Sequence, residues 1–221
     1  INIGILFDGT YNNSTADKPL KKHSNIARLY DTYRDEIAAG YYRTYIPGVG
    51  TRFNAIGEAT GNPLGGGFGI GCESRVLFAL TDILNILHRS VTNTSMLSEE
   101  QVKALCRTQS FDSSIAYRSD FEQLRSLGLS GGLRMPDFWG GGERDNILRQ
   151  QATLLEKKFA ERPHLAVREC FIDVFGFSRG AAEARVFCNW LDRVLVQGKL
   201  GGVTIRLRFL GVFDTVASAG F

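Results

Sequence analysis

Gly176-Phe177-Ser178-Arg179-Gly180 sets a serine between two glycines, and the residues on either side bear on what its hydroxyl does. An apolar run over residues 171–175 leads in, and a helix-forming stretch over 181–187 follows at once. Strand, tight turn and helix in that order are the context of a nucleophile elbow, which holds a serine above the edge of a sheet. Gly176 and Gly180 leave room where a Cβ would strike the strand or the helix. The N-terminus of the following helix favours negative charge developing nearby. The chemistry implied is acyl transfer through Ser178. A bare glycine-containing turn between strand and helix has the same pattern, and the correct flanks on both sides favour the nucleophile.

A serine hydroxyl is a poor nucleophile unless a histidine takes its proton and a carboxylate orients that histidine. Where this elbow is used, the chain order is Ser, then Asp or Glu, then His. Asp214 is the natural acid, because it ends the next strand-like run, residues 204–213, at the edge where open α/β sheets gather their functional groups. Its bland alternative is to cap the turn into Thr215-Val216. His23, His88 and His164 all precede Ser178, and each suits a surface or core role better than that of base. The base is therefore expected beyond Asp214. Acyl transfer also needs two N–H donors for the oxyanion. The amide of Arg179 is one, and the turn Asp8-Gly9-Thr10 offers Gly9 and Thr10 for the other, with Asp8 bracing the loop.

Other motifs carry less. Phe7-Asp8-Gly9-Thr10 resembles the D-x-D-G-T signature of haloacid-dehalogenase-like phosphatases, but Leu6 stands where the attacking aspartate belongs. The glycine-rich stretch 65–71 resembles a phosphate cradle, yet lacks the Gly-Lys-Ser/Thr ending of a P-loop and reads better as a flexible loop or lid. Arg179 is a charge at the mouth of the site or a surface residue of its helix, and Arg185 suits packing or an ion pair. Cys72, Cys106, Cys170 and Cys188 have neither metal-ligand nor disulfide-framework spacing, so free, mostly buried thiols are expected.

The elements that must position these groups follow from hydrophobic pattern. Residues 1–7 form a short apolar strand ending at the 8–10 turn, and 42–46 a second strand stopped by Pro47-Gly48. Helices are expected over 24–39, 73–88, 98–106, 121–127 and 144–161, with a long glycine-rich loop over 48–71. Alternating strands and helices predict an α/β fold, a mostly parallel sheet with helices on both faces, of the α/β-hydrolase type. Residues 90–145, rich in Ser, Thr, Gly and charge, read as an insertion or lid within one domain spanning 1–221. The chain opens on Ile1, carries no signal peptide and ends on Phe221 soon after a motif, so it reads as a C-terminally incomplete piece of a longer protein. With 43% hydrophobic residues and a net charge of only +3, composition is that of a globular protein, with no electrostatic case for nucleic acid. No apolar run reaches the roughly 20 residues that span a bilayer.

Three segments together resemble one family: Ile5 to Asn13, Asp173 to Arg185, and Gly211-Val212-Phe213-Asp214-Thr215-Val216. They look like the α/β-hydrolase domain of type VI secretion lipase effectors of the first family, which are antibacterial phospholipases. The resemblance implies phospholipase A chemistry on membrane phospholipids through an acyl-enzyme, with Ser178 as nucleophile and Asp214 as triad acid. The chemistry itself needs no cofactor and no metal, with a calcium contribution to lipid binding left open. The resemblance further implies synthesis in the cytoplasm without a signal peptide and delivery into the periplasm of a target cell. A type VI spike protein and a cognate immunity protein are the implied partners. The family's histidine lies further towards the C-terminus and has no counterpart in this chain. Two alternatives stand beside this one: a non-catalytic binding module that kept the fold, and a serine esterase for non-lipid esters.

Overall fold

The computed structural model describes residues 1–61, 71–107, 114–129, 143–162 and 167–216. The expected first strand forms as β1 (Asn2–Phe7), with Ile3 and every residue after it to Phe7 buried. Such a run, with apolar residues on both faces, belongs in the middle of a sheet. It lies there, between β2 (Tyr41–Ile46) and β3 (Glu169–Phe177), parallel to both. β2 alternates half-buried and buried residues, as an edge strand with one covered face does. On the other side β3 pairs in parallel with β5 (Val203–Phe213), whose start is bordered by the antiparallel β4 (Lys199–Leu200). The sheet order is β2-β1-β3-β5-β4, and the architecture is α/β with a mostly parallel five-stranded sheet.

Helices lie on both faces. Helix α2 (Asn25–Thr32), after a single turn α1 (Ser14–Asp17), brings Tyr33 over Gly4 and Phe175. On the opposite face Phe7 packs against Phe187 of α7 (Arg179–Val194), behind which runs α3 (Cys72–Thr92). The core between them holds Ile3, Ile5, Leu77, Leu80, Ile83, Val174 and Ala184. Each large apolar side chain buried here contributes about 1.5–3 kcal/mol relative to exposure.

Several expectations are corrected in extent. The helix expected over 24–39 ends at Thr32. Tyr33 leaves helical geometry, and its hydroxyl donates to Asp173 at 2.6 Å, so a cross-sheet contact replaces another helical turn. Only a short 3₁₀ turn, Ile37–Ala39, follows. The 48–71 segment is not all loop: a 3₁₀ turn, Asn54–Ile56, buries Phe53 and Ile56 in the core. Residues 62–70, most of the expected phosphate cradle or lid, lie outside the described residues. Between 90 and 145 stand α4 (Glu99–Cys106), opened by a Ser98/Gln101 capping box, and α5 (Ser114–Ser126), longer than the expected 121–127 helix. Val102, Leu105, Leu124 and Leu127 share the main core, and Arg144 donates to Leu105 O and Arg107 O. The described part of this region is thus built into the domain. Residues 108–113 and 130–142 lie outside the described residues. The expected 144–161 helix forms as α6 (Glu143–Glu161). Strand β4 was not legible, because two residues give no period. All four cysteines are free, three buried and Cys188 half-buried. Among the described residues, no helix is long and apolar enough to cross a membrane.

Candidate functional site

The chain leaves β1 towards β2 on one side and returns as β3 on the other. The winding therefore reverses between β1 and β3, and such reversals open a crevice beyond the C-terminal strand ends. Both sequence motifs lie there: the 8–10 turn follows β1, and Ser178 follows β3. Register brings them level, Phe7 pairing with Gly176.

Ser178 has φ 56° and ψ −120°, a conformation that a residue with a Cβ rarely adopts. Two backbone bonds hold it there: Ser178 N–H donates to Phe213 O at 2.9 Å, and Ala181 N–H donates to Ser178 O at 3.1 Å. Close packing on either side enforces the turn. A Cβ on Gly176 would lie 2.2 Å from Gly180 O, and one on Gly180 would lie 2.5 Å from both Phe7 O and Asp8 O. Glycine is therefore required at both, because the start of α7 presses directly on the ends of β3 and β1. Strand, tight turn and helix follow one another here in the expected order.

Asp214 stands one residue beyond Phe213, which pairs with Phe177, just as Ser178 stands one beyond Phe177. The two residues hold equivalent places on neighbouring strands. Asp214 is exposed and has φ 46°.

The 8–10 turn is braced by its own aspartate. Asp8 is 1% exposed and accepts from Gly9 N–H (2.8 Å), Ser24 Oγ (2.7 Å) and Tyr45 Oη (2.6 Å). Burial raises its carboxyl above the ordinary carboxylate range, and these three bonds oppose the rise. Burial and the nearby Asp8 push the Tyr45 phenol well up, so it stays a donor. Gly9 N–H is thus already engaged. Tyr11 N–H goes to Val49 O and Asn12 N–H to Gly9 O. Of the two amides expected for the oxyanion, Thr10's is the one this turn does not use for itself. Arg179 Nη1 reaches across to Thr10 Oγ1 at 3.3 Å, tying the first turn of α7 to the loop. Arg185 is exposed on α7. Leu6, where a phosphatase aspartate would stand, is fully buried in β1.

The histidines do not complete a triad. His88 closes α3 through Nδ1, 2.7 Å from Thr94 O and 2.9 Å from Thr92 Oγ1. His23 precedes the N-cap of α2, half-buried, and its shielded Nδ1 has no partner among the described residues. His164 lies outside the described residues. No histidine is hydrogen-bonded to Ser178 among the described residues. Nor does any group of His, Cys, Asp and Glu there have the arrangement of a metal site.

Two buried charged residues behind the elbow were missed. Arg75 of α3, fully buried, donates to Pro47 O (2.7 Å), Gly48 O (3.2 Å) and Thr51 O (3.3 Å), and pairs with Glu58 at 2.9 Å. The loop it holds lies against the 8–10 turn so closely that a Cβ on Gly48 would fall 1.7 Å from Gly9 O. Glu183 of α7 is also fully buried, and neither carboxyl oxygen has a hydrogen-bond partner among the described residues. Burial pushes its carboxyl up to about 8, against a lowering influence from Arg75 and the neighbouring Cys72 thiol. Sequence held a signal for both. Arg75 follows Cys72 by three residues and precedes Ala79 by four, and Glu183 stands likewise between Gly180 and Phe187, each a charge on an apolar helical face.

No protein-family model matches the chain, and no curated protein does. A solved structure, the crystal structure of an uncharacterized protein from Pseudomonas aeruginosa, is similar over 100% of this chain, with a TM-score of 0.76 and 30% identity. This chain covers 30% of that protein's length.

Proposed function

We propose that this chain is the α/β-hydrolase domain of a serine hydrolase that cleaves acyl esters of phospholipids, of the type VI lipase-effector kind. The observation that carries the reading is the backbone of Ser178. A serine held at φ 56°, between two glycines that packing makes obligatory, presents its side chain where a sheet has its functional edge. Strain of this kind persists only where surrounding structure imposes it. In the proposed reaction a general base takes the proton from Ser178 Oγ, which attacks the ester carbonyl and forms a tetrahedral oxyanion. The amides of Arg179 and Thr10 stabilise that charge. Collapse expels the lysolipid alkoxide, which takes up the proton, and leaves an acyl-serine. Water, deprotonated by the same base, then releases the fatty acid. Asp214 orients the base from the adjacent strand end. Exposed Phe213, whose carbonyl accepts from Ser178 N–H, is apolar surface of the sort an acyl chain needs.

Delivery by a type VI spike into a rival's periplasm, and restraint by an immunity protein, follow from the motif resemblance and are part of the proposal. The experiment is hydrolysis of phospholipid vesicles by the natural full-length protein and its Ser178→Ala variant, reading fatty acid and lysophospholipid. Release that disappears with the serine supports the mechanism; equal release from both overturns it.

One observation favours a second reading. No histidine partners Ser178 among the described residues, as in a binding module that kept the fold without the chemistry. In that case neither vesicles nor a soluble short-chain ester is hydrolysed. Hydrolysis of the soluble ester alone points instead to a non-lipid substrate.

A further inference from the structure

Glu183 lies one helical turn beyond Arg179 on α7, completely buried, with both oxygens lacking a hydrogen-bond donor among the described residues. Buried polar groups in native proteins nearly always have partners, so an orphaned carboxyl behind a strained serine needs a physical account. The charged and titratable groups facing it are Cys72 and Arg75 of α3, Glu58 from the loop after Ile56, and Arg179 of its own helix. Phe7 of β1 covers Phe187, one turn further along α7.

The surroundings form one mechanical unit. Arg75 spends its guanidinium on Glu58 and on the carbonyls of Pro47, Gly48 and Thr51. That loop in turn grips the oxyanion turn, Gly48 N–H donating to Asn12 O and Tyr11 N–H to Val49 O. Arg179 closes the circuit from α7 to Thr10. A neutral carboxyl at Glu183 leaves these bonds undisturbed. A carboxylate there, shielded from water, would draw both guanidiniums towards itself and away from the loop carbonyls and Thr10.

We propose that Glu183 is a positioning residue, whose neutral carboxyl permits Arg75 and Arg179 to hold the 8–10 turn against the nucleophile elbow and whose ionisation releases that turn. The inference rests on Ser178 being the nucleophile. Since burial pushes the carboxyl up to about 8, the change falls in the mildly alkaline range. A displaced oxyanion donor slows acylation steeply, because misplacement by about 1 Å costs on the order of 100-fold.

The test uses the natural full-length protein, its Glu183→Gln variant and its Ser178→Ala variant between pH 6 and 9.5. One measurement is the rate at which a fluorophosphonate probe labels Ser178; the other follows the backbone amide NMR signals of Tyr11 and Gly48. The expected result is a labelling rate that drops about tenfold or more above pH 8 in the parent, and no such drop in Glu183→Gln, whose amide side chain stays neutral. The Tyr11 and Gly48 signals should move with a midpoint near pH 8 in the parent alone. An identical alkaline drop in Glu183→Gln, or amide signals that titrate alike in both proteins, overturns the inference while leaving the nucleophile in place. Labelling no greater in the parent than in Ser178→Ala sinks the nucleophile reading instead. The amide signals then still report whether Glu183 governs the loop.

Discussion

Replacing Glu183 with Gln should change how stability depends on pH, and the size of the change follows from burial. The carboxyl ionises at about 8 in the folded protein, against an ordinary value of 4.5 taken for the unfolded chain. Between those values the native state holds a proton that the unfolded state has released, so raising the pH favours unfolding. The stabilisation is fully present below pH 4.5, declines as pH rises, and is gone above 8. At about 1.4 kcal/mol per pH unit, the decline is about 3 kcal/mol by pH 7 and about 5 kcal/mol in full. A domain is typically stable by only about 5–15 kcal/mol, so this one carboxyl controls a large share. The Gln side chain does not titrate, so the variant lacks this slope and is the more stable protein above pH 8. Asp8, raised by burial, and Asp173, where burial is outweighed by Arg208 and Tyr33 and the carboxyl is held below its ordinary value, add slopes of opposite sign. They are common to both proteins and cancel in the difference. Urea unfolding of the natural full-length protein and the variant at each pH from 5 to 9 reads the quantity directly. Parallel stability curves would refute the reasoning, because they would mean that Glu183 ionises in the folded state as easily as in water.

Two further outcomes are expected. Gly180→Ala forces a methyl to within 2.5 Å of Phe7 O and Asp8 O, and backbone carbonyls have little room to retreat. A loss of about 3 kcal/mol and a fall in Tm of about 6–12 °C are expected by calorimetry, and an unchanged Tm would mean that α7 does not sit on β1 as described. Asp214→Asn should lower kcat for ester hydrolysis by about 10⁴-fold with little change in KM, as loss of an orienting carboxylate does. A kcat within tenfold of the parent would assign Asp214 to capping the turn after β5.

The strands and helices nearest the site were legible because short-range patterns specify them. The continuous apolar run of β1 marks a strand covered on both faces, and Ser98 with Gln101 announces the start of α4. The turn at Ser178 was legible because strand, glycine-flanked serine and helix are written in consecutive residues, although the contact that makes Gly180 obligatory comes from Phe7 and Asp8 at the end of β1. Helix α2 was overextended because its end is set by a distant contact, Tyr33 reaching Asp173 across the sheet.

By itself, then, the sequence determined the α/β alternation, the strand–turn–helix order around Ser178 and the strand that leads to Asp214. Each depends on neighbours within a few residues, or on a period that those neighbours display. Only the tertiary structure decided that Asp8 accepts from Ser24 and Tyr45, that Thr10 meets Arg179, and that Arg75 and Glu183 lie fully buried on two helices packed against each other. Those facts depend on which strand ends become neighbours, and thus on the reversal of winding between β1 and β3. The cost of burying a charge is likewise set by everything packed around it, and residues distant in the chain supply that packing.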